Sequence, residues 1–169
     1  MCAIPMVIIA IVIKCDSKGP ALFKQKRLGK GQKPFTVYKF RTMCQGAFEK
    51  GGVASSETDS RITKVGAILR RTSLDELPQM FSIFKGDMSI VGPRPVVDDE
   101  IEKYGMAKDR FLSVTPGLTG WWACNGRSCT SYADRIMLEL YYVNNRSFML
   151  DMKCIFKTVI AVIKRDGAK

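Results

Sequence analysis

The first thirteen residues, Met1 to Ile13, are apolar apart from Pro5, and basic side chains crowd in behind them at Lys14, Lys18, Lys24, Lys26, Arg27, Lys30 and Lys33. A run of this length is too short to span a bilayer. It fits a buried core helix, a re-entrant or interfacial segment, or the apolar part of a leader. No basic stretch precedes it and no small-x-small site follows it, which argues against a cleaved leader. The cations that follow it favour an anionic surface such as lipid headgroups. The rest of the chain must therefore fold beside a segment that is either its core or its membrane contact.

Composition narrows the chemistry. The sequence has 169 residues and 46% apolar side chains, enough for one domain with a buried core, and it has no histidine. Ser-His and Cys-His nucleophile systems and most catalytic zinc sites are thereby excluded. Six cysteines (Cys2, Cys15, Cys44, Cys124, Cys129, Cys154) are scattered without a C-x-x-C pair, as expected of reduced thiols rather than a disulfide framework. The net charge of +11 divides into +8 over residues 1–50, −2 over 51–100 and +5 over 101–169. The basic flanks predict an anionic partner, and nucleic acid, lipid headgroups and a nucleotide diphosphate all meet that description.

The acidic middle holds the most informative stretch, Leu69-Arg70-Arg71-Thr72-Ser73-Leu74-Asp75-Glu76-Leu77-Pro78-Gln79. Two guanidiniums followed by two carboxylates can hold a metal-bound phosphate beside a nucleophile. Ile62, Val65, Ile68 and Leu69 predict a helix, with Arg70 and Arg71 in its last turn where the dipole favours cations. Pro78 predicts a second helix starting at the acidic pair, and Ser73-Leu74-Asp75-Glu76 also reads as a plain capping box.

Phe23–Leu28 and Pro34–Met43 read as a hairpin around Gly29-Lys30-Gly31-Gln32-Lys33, and residues 46–60 as a polar surface loop. Val91-Gly92-Pro93-Arg94-Pro95 is a stiff turn aiming Arg94, and Val96–Tyr104 a short acidic helix. Pro116–Gly120 and Asn125-Gly126-Arg127 are glycine-rich turns whose backbones can come close to a ligand. Ala133–Val143 predicts a helix carrying Glu139. A helix from Phe148 to Lys164 places Phe148, Met152, Ile155, Phe156, Val159, Ile160 and Ile163 on one side and Lys153, Lys157 and Lys164 on the other, so it either covers a core or lies in a membrane interface. No internal repeat or domain linker is evident. The expected fold is α+β and mainly helical.

These segments, taken in order, closely resemble the bacterial sugar transferases, the monotopic polyprenyl-phosphate sugar-1-phosphate transferases. The likeness covers nearly the whole chain. It rests on Gly19-Pro20 with Phe23-Lys24-Gln25-Lys26-Arg27, on Tyr38-Lys39-Phe40-Arg41-Thr42-Met43, on Leu69–Gln79 and on Lys85–Pro95, then on Pro116–Gly120, Asn125-Gly126-Arg127 and Tyr142-Val143. It implies a re-entrant membrane helix over residues 1–14, kinked at Pro5 and shortened here, and a catalytic domain over 15–169 with a β-hairpin and interfacial amphipathic helices on the cytoplasmic face of the inner membrane. It also implies Asp75 as nucleophile, Glu76 as its catalytic partner and Mg²⁺ ligand, and Arg70, Arg94 and Arg127 on substrate phosphates, with Glu139 in the substrate pocket. The implied partners are a nucleotide-sugar (relatives generally use UDP-sugars), polyprenyl phosphate such as undecaprenyl phosphate, and membrane lipid, with no nucleic acid.

Three positions depart from the family pattern. Ile4 stands where relatives commonly have Ser, Ala123 where many have Gln, and Glu139 where many have Asp. The upstream apolar stretch is also longer in relatives, so the chain reads as a fragment or shortened form. The competing reading, from charge alone, is a non-catalytic module that binds a membrane surface or nucleic acid. A glycosyltransferase acting on a lipid-linked acceptor is a third, and would release nucleoside diphosphate rather than monophosphate.

Overall fold

The computed structural model describes residues 3–47, 59–126 and 130–164. Most of the expected 46–60 loop, and Arg127, fall outside them. The described parts of Met1–Lys24 and Tyr38–Gln79 form one compact unit, and those of Gln25–Val37 and Met80–Gly167 form another. The chain passes between the units inside the hairpin and again after Gln79, with no linker.

In the first unit, helix α1 (Ala3–Asp16) begins with Pro5 in its first turn, where a missing N–H forfeits no helical bond. Ile13 is buried and Met6, Ile9 and Ala10 are half-buried against Ala21, Phe40, Leu69, Val65 and Leu77. Ile4, Val7, Ile8, Ile11 and Val12 are exposed. A helix apolar on all sides buries only one of them here. Among the described residues no helix is long and apolar enough to cross a membrane.

Arg41 finishes α1, its buried guanidinium donating to the carbonyls of Lys18 at 2.9 Å and Ser17 at 2.6 Å. These contacts satisfy acceptors just beyond the helix end. Strands β1 (Leu22–Leu28) and β2 (Pro34–Phe40) pair as the expected hairpin, and its tip turns through Gly31 and Gln32 in left-handed conformations.

Helix α2 (Lys64–Thr72) is capped by Thr63, whose Oγ1 accepts the Gly66 N–H at 2.9 Å. It ends at Ser73, and here the capping-box expectation fails. Ser73 lies in the left-handed region (φ 56°), with its N–H returned to α2 carbonyls, so it closes one helix instead of opening the next. The adjoining segment, Leu74–Gln79, is a 3₁₀ stretch rather than an α-helix start, and it hands over to the short helix α3 (Met80–Phe84). The buried Pro78 accounts for this, since it cannot donate the bond an α-helix would need at that point.

In the second unit, strand β3 (Ser89–Val91) pairs in parallel with β4 (Gly117–Thr119), Ser89 opposite Gly117 and Val91 opposite Thr119. The Pro116–Gly120 segment is therefore largely a strand, not a turn. Its glycines permit approach of backbone to backbone rather than to a ligand: a Cβ on Gly117 would lie 2.1 Å from the Gly92 nitrogen, and one on Gly120 2.1 Å from the Gly92 oxygen. The expected helix over Val96–Tyr104 divides into α4 (Asp98–Ile101) and a 3₁₀ segment, Glu102–Ala107, bent at Gly105. Helices α5 (Lys108–Leu112) and α6 (Trp121–Asn125) are short. Helix α7 (Tyr132–Asn145) starts with a true capping box, Ser131 with Asp134.

Helix α8 (Phe148–Lys164) has the expected bounds but a different buried side. Leu150 and Cys154 are buried, whereas Phe148, Phe156, Val159, Ile160 and Ile163 of the predicted apolar side are exposed. Two cores result, one around Val96, Ile101, Tyr104 and Phe111, the other around Val91, Tyr142, Leu150 and Cys154.

Candidate active site

Three of the predicted site residues, Arg70, Asp75 and Glu76, come together in the first unit, and the loop after β2 explains how. The carbonyl of Thr42 accepts the Thr63 N–H at 3.0 Å and its Oγ1 accepts Arg70 Nε at 2.9 Å. Gly66 allows this closeness, because a Cβ there would sit 2.0 Å from the Thr42 oxygen. Helix α2 is thus locked against Thr42, and Arg70 is fixed by one edge of its guanidinium. No hydrogen bond engages its terminal nitrogens among the described residues.

Ser73 then turns the chain so that Asp75 and Glu76 occupy the first turn of the 3₁₀ stretch. Glu76 Oε1 accepts Lys39 Nζ from β2 at 2.7 Å. Asp75 is half-buried, and burial pushes its carboxyl up to about 6; the charge of Glu76 adds to the rise, while Lys39 and Arg70 oppose it. Burial lowers the Arg70 guanidinium, with Asp75 and Asp59 pulling the other way. An acid whose ionisation is opposed by burial and by the neighbouring carboxylate, beside two cations, suits an approaching phosphate and a divalent ion.

A magnesium ion commonly uses one or two protein carboxylates, with substrate phosphates and water completing its shell. Among the described residues no group of three or more His, Cys, Asp or Glu could enclose a metal. The adjacent carboxylates of Asp75 and Glu76 fit such an open arrangement.

Arg94 and Glu139 come together in the second unit. Arg94 lies between two prolines that lack N–H groups, and its own N–H donates to both oxygens of Glu139, at 3.1 and 3.2 Å. Glu139, expected in the substrate pocket, is only 1% exposed and holds the turn that presents Arg94. Burial drives its carboxyl up to about 7, with the Arg94 N–H and the charges of Arg135 and Arg94 opposing. Arg94 is itself half-buried and lies over the Trp122 ring at 5.6 Å.

Sequence reasoning missed several members of these groups. Lys39 and Thr42 stand in the Tyr38–Met43 motif, where a lysine between Tyr38 and Phe40 on a strand was the available signal. Arg27, Glu100 and Arg135 also went unassigned. Arg135 Nη1 donates to Glu100 Oε1 at 2.6 Å, and Arg27 lies 3.7 Å from the other Glu100 oxygen and bonds the Pro95 carbonyl at 3.0 Å. Arg135 and Glu139 sit one turn apart on α7, and charges at that spacing on an otherwise apolar face were their signal.

The bacterial sugar transferase family model matches residues 1–165, and the chain belongs to that family. It is 42% identical to the undecaprenyl-phosphate galactose phosphotransferase of Salmonella typhimurium, over 89% of this chain and 35% of that protein. It is 42% identical to the uncharacterized sugar transferase EpsL of Bacillus subtilis, over 92% and 76%. It is 37% identical to the UDP-N-acetylgalactosamine-undecaprenyl-phosphate N-acetylgalactosaminephosphotransferase of Aeromonas hydrophila, over 97% and 40%. The chain thus spans well under half of the Salmonella and Aeromonas proteins, and about three quarters of the Bacillus one.

Proposed function

We propose that this chain is a phosphotransferase that moves a sugar-1-phosphate from a nucleotide-diphosphate sugar, of the UDP class, to a polyprenyl phosphate such as undecaprenyl phosphate, the first membrane step of a surface glycan. The observation that carries the proposal is the meeting of Asp75, Glu76, Arg70 and Lys39 at one turn, in a chain whose relatives bear phosphotransferase names.

In this reading an Asp75 oxygen attacks the sugar-proximal phosphorus. The bond from that phosphorus to the bridging oxygen breaks, and nucleoside monophosphate leaves with the electron pair. An oxygen of the polyprenyl phosphate then attacks the same phosphorus, the aspartyl bond breaks, and the carboxylate is restored on release of polyprenyl diphosphosugar. Arg70, with one guanidinium edge tied to Thr42, turns its other nitrogens to phosphate oxygens, and Arg94 and Arg127 bind further ones. Lys39 holds Glu76 in place. Mg²⁺, held in part by Glu76, would neutralise phosphate charge.

The exposed apolar sides of α1 and α8, and the lysines of the first fifty residues, support placement at the cytoplasmic face of the inner membrane with α1 in a re-entrant segment.

The test is intact-mass analysis of the chain with Mg²⁺ and a panel of UDP-sugars, without lipid acceptor. The wild type is expected to gain one phosphosugar and release UMP, and Asp75→Asn to do neither. A wild-type chain that turns over with acceptor present but never carries the adduct overturns the covalent route. Release of UDP would point instead to a glycosyltransferase.

A further inference from the structure

Arg135 is 8% exposed, yet among the described residues two of its nitrogens, Nε and Nη2, have no hydrogen-bond partner. Buried guanidinium N–H groups without partners are expensive, and native proteins rarely leave them so unless something else completes the site. The buried hydroxyl of Tyr104, from the 3₁₀ segment after α4, has none among them either. The guanidinium lies over two rings, 4.7 Å from the centroid of Trp122 and 5.2 Å from that of Tyr132, contacts that leave its N–H groups to other partners.

The surroundings are cationic. Arg94 shares the Trp122 ring, and Arg27 approaches from β1. Against these three guanidiniums stand Glu100, which bridges Arg135 and Arg27, and Glu139, which takes the Arg94 amide. Burial pushes the Arg27 guanidinium down to about 10, and repulsion from Arg94 and Arg135 contributes. Arg27, Arg94 and Arg135 thus cluster around Glu100 and Glu139, with Arg27 and Arg94 half-buried and Arg135 buried.

The geometry points to a phosphate-dianion site in the second unit, floored by Arg135 on the rings of Trp122 and Tyr132 and walled by Arg27 and Arg94. This rests on the transferase reading for its choice among anions, and adds Arg135 and Arg27 to its phosphate-binding residues. The dianion belongs to a nucleotide, to the polyprenyl carrier or to free phosphate, three sources with one chemistry.

The test uses the full chain in detergent, labelled with ¹⁵N-arginine. The Arg135 Nε–H resonance is assigned by its proximity to the Trp122 and Tyr132 ring protons and by its loss in Arg135→Lys. Inorganic phosphate, UDP and a short-chain polyprenyl phosphate are titrated separately, with uridine as the phosphate-free control. A saturable shift with any phosphate probe, absent with uridine, supports the site, and the tightest probe names the source. Arg135→Lys, which keeps the charge but loses the fork, is expected to weaken that probe by about tenfold or more without lowering the melting temperature. If that variant does not fold, the wild-type resonance decides alone. An Arg135 signal unmoved by all three probes overturns the inference. An adduct on Asp75 beside a silent Arg135 rejects this site only, whereas a responding Arg135 with no adduct removes the covalent reading and leaves the site.

Discussion

Asp75 and Glu139 are both acids whose pKa is raised mainly by burial, one to about 6 and the other to about 7, yet the two regions hold them for opposite ends. Asp75 remains partly open at the first turn of a 3₁₀ stretch, facing cations fixed by other partners: Arg70 by Thr42, Lys39 by Glu76. Glu139 is sealed on α7 with both oxygens on one backbone N–H. The nucleophile proposed for Asp75 needs access and an uneven charge balance. A carboxylate that positions a loop needs neither access nor full charge, only acceptor oxygens.

The sharpest way to break this contrast is Asp75→Asn. Turnover and the phosphosugar adduct are expected to fall by at least about 10³-fold, while the protein becomes more stable at neutral pH. The sign follows from the raised folded-state value. Such an acid stabilises the fold below its unfolded pKa of 3.8, and that contribution is lost as pH rises through about 6. The difference is worth about 3 kcal/mol at most, and solvent screening at this half-open position reduces it to about 1–2 kcal/mol. Calorimetric melting at pH 7.5 reads it, and a destabilised Asp75→Asn chain would show that the carboxylate is structural.

At Glu139 the order reverses. Glu139→Ala leaves the Arg94 amide without an acceptor and opens a void, at a cost of about 2–4 kcal/mol. Glu139→Gln keeps an acceptor oxygen and should stay within about 1 kcal/mol of the wild type at pH 5. Since ionisation of the native acid weakens the fold as pH rises from 4.5 through about 7, the glutamine variant should be the more stable of the two at pH 8. Urea unfolding at the two pH values checks both claims. Equal pH dependence in wild type and Glu139→Gln would mean that the carboxyl titrates normally.

How much could be read from the residues tracks how local each feature is. The hairpin and the bounds of α8 follow from alternation, turn glycines and helical spacing, all of which act within a few residues. The parallel pair β3 and β4 was invisible, since three-residue strands carry no alternation and their pairing is set by backbone approach at Gly92, Gly117 and Gly120. The sequence pattern at Ser73 points to a capping box because a left-handed serine obeys no local preference; the helix end it closes imposes that conformation. Asp75, Glu76 and Arg70 were legible as a candidate site because they fall within one eleven-residue stretch. Arg135 and Glu139 form a buried charged face, and by sequence such a face looks like a solvated one. The exposed side of α8 was predicted as apolar but could not be told from a core face, because periodicity identifies a stripe and not what covers it.

The smallest predicted effect tests the Asp75 environment most directly. Lys39 pulls the Asp75 carboxyl down and pairs with Glu76 at 2.7 Å. Lys39→Met removes a cation from both acids, so Asp75 should hold its proton to higher pH. On the proposed route, in which Asp75 must be ionised to attack, the acid limb of kcat/KM is expected near pH 6 in the wild type and should move upward in the variant. Activity would then fall severalfold at pH 6.5 and recover most of the difference at pH 8.5, while Lys39→Arg, which restores the charge, should keep the native limb. A loss of equal size at every pH would mean that Lys39 touches substrate rather than tuning its neighbour. An unchanged profile would mean that burial alone sets the Asp75 pKa, and the difference between the two acidic sites would then reduce to access.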